Sequence, residues 1–359
     1  LVFGSYEPLL SLAVRALVRG YHIPQAAGGG RRPLTWPVGV MARTTWPILV
    51  GPWTSEMGFE VLYWLPYLER LRQEYKLDPQ RLISVTRGGA GVWYGMGHRV
   101  ELYDYLPPQD VRLSALDAQQ QSATSKQQRM TAWERRLLAL LAERLGLRRY
   151  HVLHPSVMYQ ALDPWWGSQT MGFSTVLRQL RFAPVPVPVV PVGMALPEQF
   201  VAVRWYQRAT WPMREDLVDW TRAMVGAIAK TMPVVILRSS AYLDDHVDFP
   251  VPTGPNIQVV TAEPWRENLA VHSAVLKRAS AFVGTWGGMA QLAVRLGLPT
   301  AAFYDRWHSC SYAHRVLTEW LAVQQGTACF VGRPHDAECV RTILPTAIAL
   351  PDLPRGSSS

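Results

Sequence analysis

The run Phe282-Val283-Gly284-Thr285-Trp286-Gly287-Gly288-Met289-Ala290-Gln291-Leu292-Ala293 has the residue types and spacing to bind an anion. Ala281 to Val283 reads as the end of a buried strand. A glycine turn follows, and Met289 to Leu296 reads as a helix that stops at Gly297. The first N–H groups of a helix lack partners, and the helix dipole adds partial positive charge there. Gly287 and Gly288 carry no Cβ, so a phosphate or sugar can approach the backbone closely. A plain strand-to-helix turn answers the same pattern and carries about half the weight on this stretch alone.

Other chemistry-bearing residues stand in loops of the same kind. Gly51-Pro52-Trp53-Thr54-Ser55-Glu56-Met57-Gly58-Phe59-Glu60 holds two glutamates in or beside a glycine turn. A carboxylate there can take a proton from an acceptor hydroxyl or hold a sugar hydroxyl. Glu60 equally suits a helix first turn, and Glu56 a solvated loop. Arg204, Arg208 and Arg214 alternate with Trp205, Tyr206 and Trp211. Guanidinium groups bind phosphate oxygens, and aromatic neighbours limit solvent access. Arg238 opens a loop that runs through Asp244, Asp245 and His246, a set suited to ribose binding, capping or a metal. The chain has no Asp-x-Asp and no His-x-x-x-His, so no protein-held metal is expected. Glu263 sits in a polar loop before Asn268 and can take ribose hydroxyls.

The elements that must position these loops alternate. Strands are expected at Pro47–Val50, Arg81–Thr86 and Tyr150–Leu153, with helices at Glu60–Tyr75 and Thr131–Leu145. Gln119 to Gln128 reads as a polar surface linker. Phe182 to Pro191 is interrupted by prolines and reads as a semi-rigid connector. Beyond it, strands are expected at Phe200–Arg204, Val234–Leu237, Ile257–Val260, Ala281–Val283 and Thr300–Phe303, with helices at Glu215–Thr231, Asn268–Arg278 and Met289–Leu296. Short apolar strands alternating with helices imply parallel sheets. The expected organisation is α/β: two Rossmann-like parallel-sheet domains facing across a cleft. Residues 1–40 form a loosely ordered extension, 41–181 the N-terminal domain, 182–197 the Pro/Val-rich linker, 198–350 the C-terminal domain and 351–359 a tail. Ligands of such sheets bind beyond the carboxyl ends of the strands.

Composition narrows the partners. A net charge of +9 suits an anionic partner. The arginines are dispersed rather than gathered in a run, which argues against a nucleic-acid tail. Fifteen tryptophans, among them Trp53, Trp165, Trp166, Trp205, Trp211, Trp286 and Trp307, suit sugar or base stacking, although core filling is the commoner use. Cys310, Cys329 and Cys339 lack metal spacing and read as free thiols of a reducing compartment. No apolar run approaches the roughly 18 residues of a membrane span. Leu9 to Arg19 is basic and amphipathic, and is the only hint of membrane-surface contact.

Together, the glycine turn, Phe200 to Tyr206, Leu243 to His246 and Glu267-Asn268-Leu269 resemble the C-terminal half of GT-B glycosyltransferases, more narrowly predicted bacterial ones. Gly51-Pro52-Trp53 through Glu60 resembles the start of their N-terminal domain. The arginine-bearing strand end and the Gly-Thr turn are distantly similar to fucosyltransferases that use GDP-fucose. The resemblance covers about residues 47–320; residues 1–40 and 107–130 fall outside it. It implies transfer of a hexosyl or deoxyhexosyl group from a GDP- or UDP-type sugar to a glycan, a lipid-linked glycan or a small molecule. No tightly bound cofactor and no metal are implied. Arg204 and Arg208 would face the diphosphate, and Thr285, Gly287 and Gly288 would present N–H groups to it. Glu263, Asp245 or His246 would contact ribose or base, with Arg238 and Gln291 completing the donor set. Glu56 is the first candidate for general base and Glu60 the second. A role in polysaccharide biosynthesis and a cytoplasmic location follow, with peripheral inner-membrane contact if the acceptor is lipid-linked. The rival readings are a sugar-nucleotide epimerase or hydrolase of the same fold, then a basic nucleic-acid-binding protein.

Overall fold

A computed structural model of the chain describes residues 36–111, 127–189, 195–239, 247–262, 264–306 and 311–336. The chain divides into two compact units. The first holds residues up to Ser55 and Tyr63–Ala183. The second holds Glu56–Leu62 and everything from Pro184 onward. Glu56–Leu62 therefore belongs to the second unit, although it lies within the 41–181 stretch expected as the first domain.

Helix α1 (Trp36–Ala42) precedes four parallel strands in the first unit: β1 (Ile48–Val50), β2 (Leu82–Thr86), β3 (His98–Glu101) and β4 (His151–Leu153), in the order β3-β2-β1-β4. Leu49 pairs with Ile83 on one side and Val152 on the other. All of β1 and β2 is buried, as in a covered parallel sheet, with Ser84 and Thr86 the polar residues of β2. Strand β3 was not expected, because its first two residues are polar and exposed.

The helix expected over Glu60–Tyr75 is three pieces: α2 (Met57–Phe59), a π-helical turn over Glu60–Trp64 and α3 (Leu65–Glu74). Pro66 stands in the first turn of α3, where its missing N–H is harmless. Helix α4 (Ala132–Arg144) starts with a capping box. The Glu134 N–H donates to Thr131 Oγ1 at 3.1 Å, and the Thr131 N–H donates to Glu134 Oε2 at 2.7 Å. Helices α5 (Ser156–Trp166) and α6 (Phe173–Gln179) complete the unit.

The surface-linker reading of Gln119–Gln128 fails at Gln127, which is buried. Its amide donates to Pro52 O and Glu134 Oε1, both at 2.7 Å, and accepts from the Thr54 N–H at 3.2 Å. A primary amide can donate and accept at once, so it braces the loop after β1. His154 accepts from the Ser156 N–H through Nδ1, leaving Nε2 to face Glu134 Oε1 at 3.3 Å.

The second unit is a six-stranded parallel sheet. In chain order its strands are β5 (Val201–Arg204), β7 (Val234–Ser239), β9 (Ile257–Ala262), β10 (Ala281–Thr285), β11 (Thr300–Phe303) and β12 (Cys329–Gly332). Their spatial order is β12-β11-β10-β5-β7-β9. Two residues each of β6 (Tyr206–Gln207) and β8 (Val247–Asp248) pair antiparallel beside it. Helices α7 (Glu215–Ala229), α8 (Asn268–Arg278), α9 (Gly288–Arg295) and α10 (Tyr312–Gln324) connect the strands.

The tryptophans mostly fill cores. Trp205, Trp211 and Trp220 pack with Phe249 and Phe303, with Trp205 and Trp211 centroids 5.0 Å apart. Trp53, Trp165 and Trp286 are buried too, and Trp166 is half-buried. Trp307, Cys310, Cys339 and the Leu9–Arg19 segment lie outside the described residues. Cys329 is a free thiol, pushed up to about 12 by burial. Among the described residues, no helix is long and apolar enough to cross a membrane.

Thr131→Ala removes one half of the α4 capping box. It is expected to destabilise the protein by about 1 kcal/mol, read as a lower urea midpoint.

Candidate active site

Strands β5 and β10 are neighbours at the centre of the second sheet, with Gly284 paired to Arg204. Their carboxyl ends therefore deliver two loops to one place. One is Trp205 to Arg208 and the other Trp286 to Gly288.

The first loop is laced to the second by Thr285. Its Oγ1 accepts from the Tyr206 N–H at 3.2 Å and donates to Tyr206 O at 3.4 Å. Thr285 is fully buried, and its hydroxyl joins the two loops. The Tyr206 side chain then lies over the glycine turn. A Cβ on Gly287 would collide with the Tyr206 hydroxyl and stand 3.0 Å from Arg208 Nη1. Gly287 has a φ of 164°, extended backbone open to any residue, so glycine is needed here for space.

Gly288 is closed in by α2. A Cβ there would stand 2.8 Å from the Gly58 N. Gly58 in turn leaves room for the Gln291 side chain. Gln291 is buried, and its Oε1 has no hydrogen-bond partner among the described residues. Phe59 packs edge-on against His314, with centroids 4.6 Å apart. The sequence reads Gly287 and Gly288 as backbone that a phosphate can approach. Their missing side chains make room for Tyr206, Arg208 and α2. Gly288 keeps partial exposure.

The two arginines differ. Arg204 is buried. Its Nη1 donates to Leu237 O at 2.8 Å and is ion-paired to Asp248 Oδ1, while Asp248 Oδ2 accepts from the Ser239 N–H at 3.3 Å. Its Cζ lies 5.6 Å from the Tyr206 ring centroid. Arg204 therefore ties the ends of β5, β7 and β8 together. Arg208 is half-buried and keeps solvent access. It hydrogen-bonds the Tyr206 hydroxyl. Burial keeps that phenol above its ordinary range, against the pull of Arg208 and Arg204, and the charge of Glu56 adds to the rise. Glu56 is thus within electrostatic reach of Tyr206. Arg214 is exposed and held by Asp216 at 2.6 Å and Asp305 at 2.9 Å, so it is not free for an anion at this site.

Of the expected residues, the fold gathers Glu56, Arg204, Arg208, Thr285, Gly287, Gly288 and Gln291 in the second unit. Glu56 is half-buried at the start of α2, while Glu60 is fully buried. Arg238 is the last residue but one of β7, and its carbonyl accepts from His272 Nε2 at 2.9 Å. Asp245, His246 and Glu263 lie outside the described residues. Among the described residues, no three His, Cys, Asp or Glu side chains gather as a metal site.

Sequence reasoning missed three participants. Asp248 follows an acidic loop and is indistinguishable from it by pattern. Tyr206 registers only as one aromatic among several. His272 is a lone histidine in an apolar helix. It is fully buried, and burial, then the nearby Arg204 charge, lowers its pKa to about 3. A carbonyl partner requires Nε2 to carry the proton, so the ring is neutral with Nδ1 bare.

No protein-family model matches the chain, and no curated protein matches it. Several solved structures do. E. coli heptosyltransferase WaaC with ADP is 14% identical over 80% of this chain and 93% of that one, with a TM-score of 0.40. A glycosyl transferase family 9 structure from Veillonella parvula is 12% identical over 83% and 88%, at 0.40. E. coli ADP-heptose lps heptosyltransferase II is 11% identical over 78% and 100%, at 0.40. These structural neighbours are glycosyltransferases. That is the class the sequence motifs resemble, and what the site does is argued below from its own geometry.

Two outcomes follow. Arg204→Ala and Asp248→Ala each leave a buried charge or its frame unpaired, and each is expected to destabilise the protein by about 3 kcal/mol without any ligand, read by urea denaturation. His272 has a folded pKa near 3 against an ordinary 6.5, so the unfolded chain binds the extra proton between those values. Stability should fall as pH drops below 6.5, by up to about 1.4 kcal/mol per pH unit. His272→Gln should flatten that slope, measured as the melting temperature from pH 7.5 to 4.5.

Proposed function

We propose that the protein is a metal-independent glycosyltransferase that moves a sugar from a nucleoside-diphosphate donor to a hydroxyl acceptor. One observation carries this reading: Arg208 stands beside Gly287 at the start of α9, with Glu56 in electrostatic reach. A solvent-accessible guanidinium beside a helix N-terminus concentrates positive charge at one point. That is what a departing diphosphate needs. A preorganised cation and helix dipole stabilise developing negative charge without reorganisation.

In the proposed step the bond from the anomeric carbon to the diphosphate oxygen breaks, and its electrons leave with the nucleoside diphosphate. The acceptor oxygen forms the new bond to that carbon. Its proton passes to a carboxylate, for which Glu56 is the candidate because it keeps solvent access and Glu60 does not. Arg208, together with backbone N–H groups of the Gly287–Gly288 turn, receives the leaving charge. Arg204 acts at one remove, since its own charge is matched by Asp248. The donor is of GDP or UDP type and the acceptor a glycan, a lipid-linked glycan or a small molecule. In this reading the enzyme works in the cytoplasm in polysaccharide biosynthesis, with peripheral membrane contact where the acceptor is lipid-linked.

The test is a thermal-shift panel of UDP, GDP, ADP, CMP and dTDP on wild type and Arg208→Ala. A ligand that binds only the native state raises the melting temperature, by the equivalent of about 2.7 kcal/mol at one hundred times Kd. One nucleotide is expected to raise it in wild type and to lose most of that effect in Arg208→Ala. No shift with any nucleotide, against a clear shift with an oligonucleotide, would overturn the reading.

A further inference from the structure

Buried polar atoms gather at the carboxyl end of β7. Arg238 Nε, Ser239 Oγ, Asn268 Oδ1 and His272 Nδ1 are each buried with no hydrogen-bond partner among the described residues. One bond draws their residues together. His272 Nε2 donates to Arg238 O at 2.9 Å and so sets α8 against the end of β7. Asn268 stands one helical turn before His272, on the same side of α8. Ser239 follows Arg238 in the strand, and its N–H is already given to Asp248 Oδ2 at 3.3 Å. Asn268 and His272 are 4% and 1% exposed, whereas Arg238 and Ser239 are half-buried, so the group reaches the surface at the strand end. A buried polar atom left unmet costs about 1–3 kcal/mol. Apolar side chains at Ser239 and Asn268 would avoid that cost, which points to a polar group that binds here.

The chemistry of the four atoms limits what that group is. Burial keeps the His272 ring neutral, and its one N–H is committed to Arg238 O, so Nδ1 can only accept. Asn268 Oδ1 accepts as well. Two acceptors ask for two donors on one edge of a ligand. Arg238 Nε–H and the Ser239 hydroxyl can serve an acceptor on it. We infer that this strand end reads the base of the donor nucleotide and selects guanine. This rests on the donor reading above. Guanine carries a ring N–H and an exocyclic amino group side by side, with a carbonyl next to them. Uracil offers one N–H between two carbonyls, which would leave one buried acceptor unmet and press a carbonyl against it. Adenine and cytosine carry an amino group but no ring N–H beside it. The placement agrees with the topology. The Gly287–Gly288 turn follows β10, and β10, β5 and β7 are consecutive neighbours. The end of β7 is thus two strand spacings away, roughly 10 Å, which suits the distance from a diphosphate to its base. Ligands of such sheets lie across neighbouring strand ends.

The experiment is calorimetric titration of GDP, inosine diphosphate, UDP and inorganic pyrophosphate into wild type and Asn268→Ala. Inosine diphosphate is GDP without the exocyclic amino group, so it removes one donor and nothing else. Wild type is expected to bind GDP about tenfold more tightly than inosine diphosphate, the scale of one buried hydrogen bond, and more tightly than UDP. In Asn268→Ala, GDP should weaken to the level of inosine diphosphate while pyrophosphate binds as in wild type. The ligand-free variant should melt no lower than wild type, because it buries one unmet oxygen fewer. Equal binding of GDP and inosine diphosphate, or UDP binding as tightly as GDP, overturns the selection of guanine. Unchanged GDP affinity in Asn268→Ala overturns it as well. So does a loss of pyrophosphate affinity or of melting temperature in that variant, since a structural role of Asn268 accounts for either. Pyrophosphate binding to wild type leaves the donor site standing in each of these cases. If wild type binds none of the four probes, the donor reading itself falls, and this inference with it.

Discussion

The carboxyl end of the second sheet depends on one buried charge. Arg204 ends a fully apolar strand and leaves its guanidinium in a place with little water. A charge there is tolerable only if it is matched and hydrogen-bonded. Asp248 supplies the match and Leu237 O accepts a further bond. To reach Arg204, β8 must lie beside the end of β7, and the Ser239 N–H then binds the second oxygen of Asp248. The same charge helps to keep His272 neutral, so the ring serves as a fixed donor to Arg238 O. A residue type that suggests phosphate binding thus acts first as the fastening of three strand ends.

Space is the second constraint, and it follows from the first. With β5 and β10 adjacent, their loops must pass over one another within a few ångströms. Thr285 fastens one crossing, and the missing side chain of Gly287 permits the other. Helix α9 can then begin beneath Tyr206, with Gly58 of α2 set against Gly288. Glycines at such a turn are commonly read as room for a ligand. Here the room is occupied by the protein's own phenol, guanidinium and backbone. Arg208, Glu56 and Gly288 each keep partial exposure beside this turn.

Much of the architecture was legible because central parallel strands are buried on both faces and read as unbroken apolar runs. β1, β2, β5, β10 and β11 are buried throughout and mostly apolar, and β7 is so over Val234–Leu237. Strand β3 begins with exposed His98 and Arg99 and carries no such run, so pattern passed it over. The π-helical turn at Glu60–Trp64 is equally silent, since its periodicity blends into the helix around it. Gln127 reads as linker because burial of an amide depends on partners far away in sequence, here Pro52 and Thr54. The tryptophans divide between stacking and packing only once their neighbours are known.

The sequence by itself determined the alternation of elements and the parallel α/β class. It also determined which loops hold charge beside glycine. These are local properties, set by hydrophobic period, turn chemistry and the unpaired amides of a helix start. Tertiary structure decided which of those residues face solvent and which are taken by the protein itself. Arg204 and Arg208 are four positions apart and chemically identical, yet one is neutralised by Asp248, forty-four residues away, and the other stands beside the helix start. No local rule distinguishes them, because a charge acquires its role from the groups that surround it after folding.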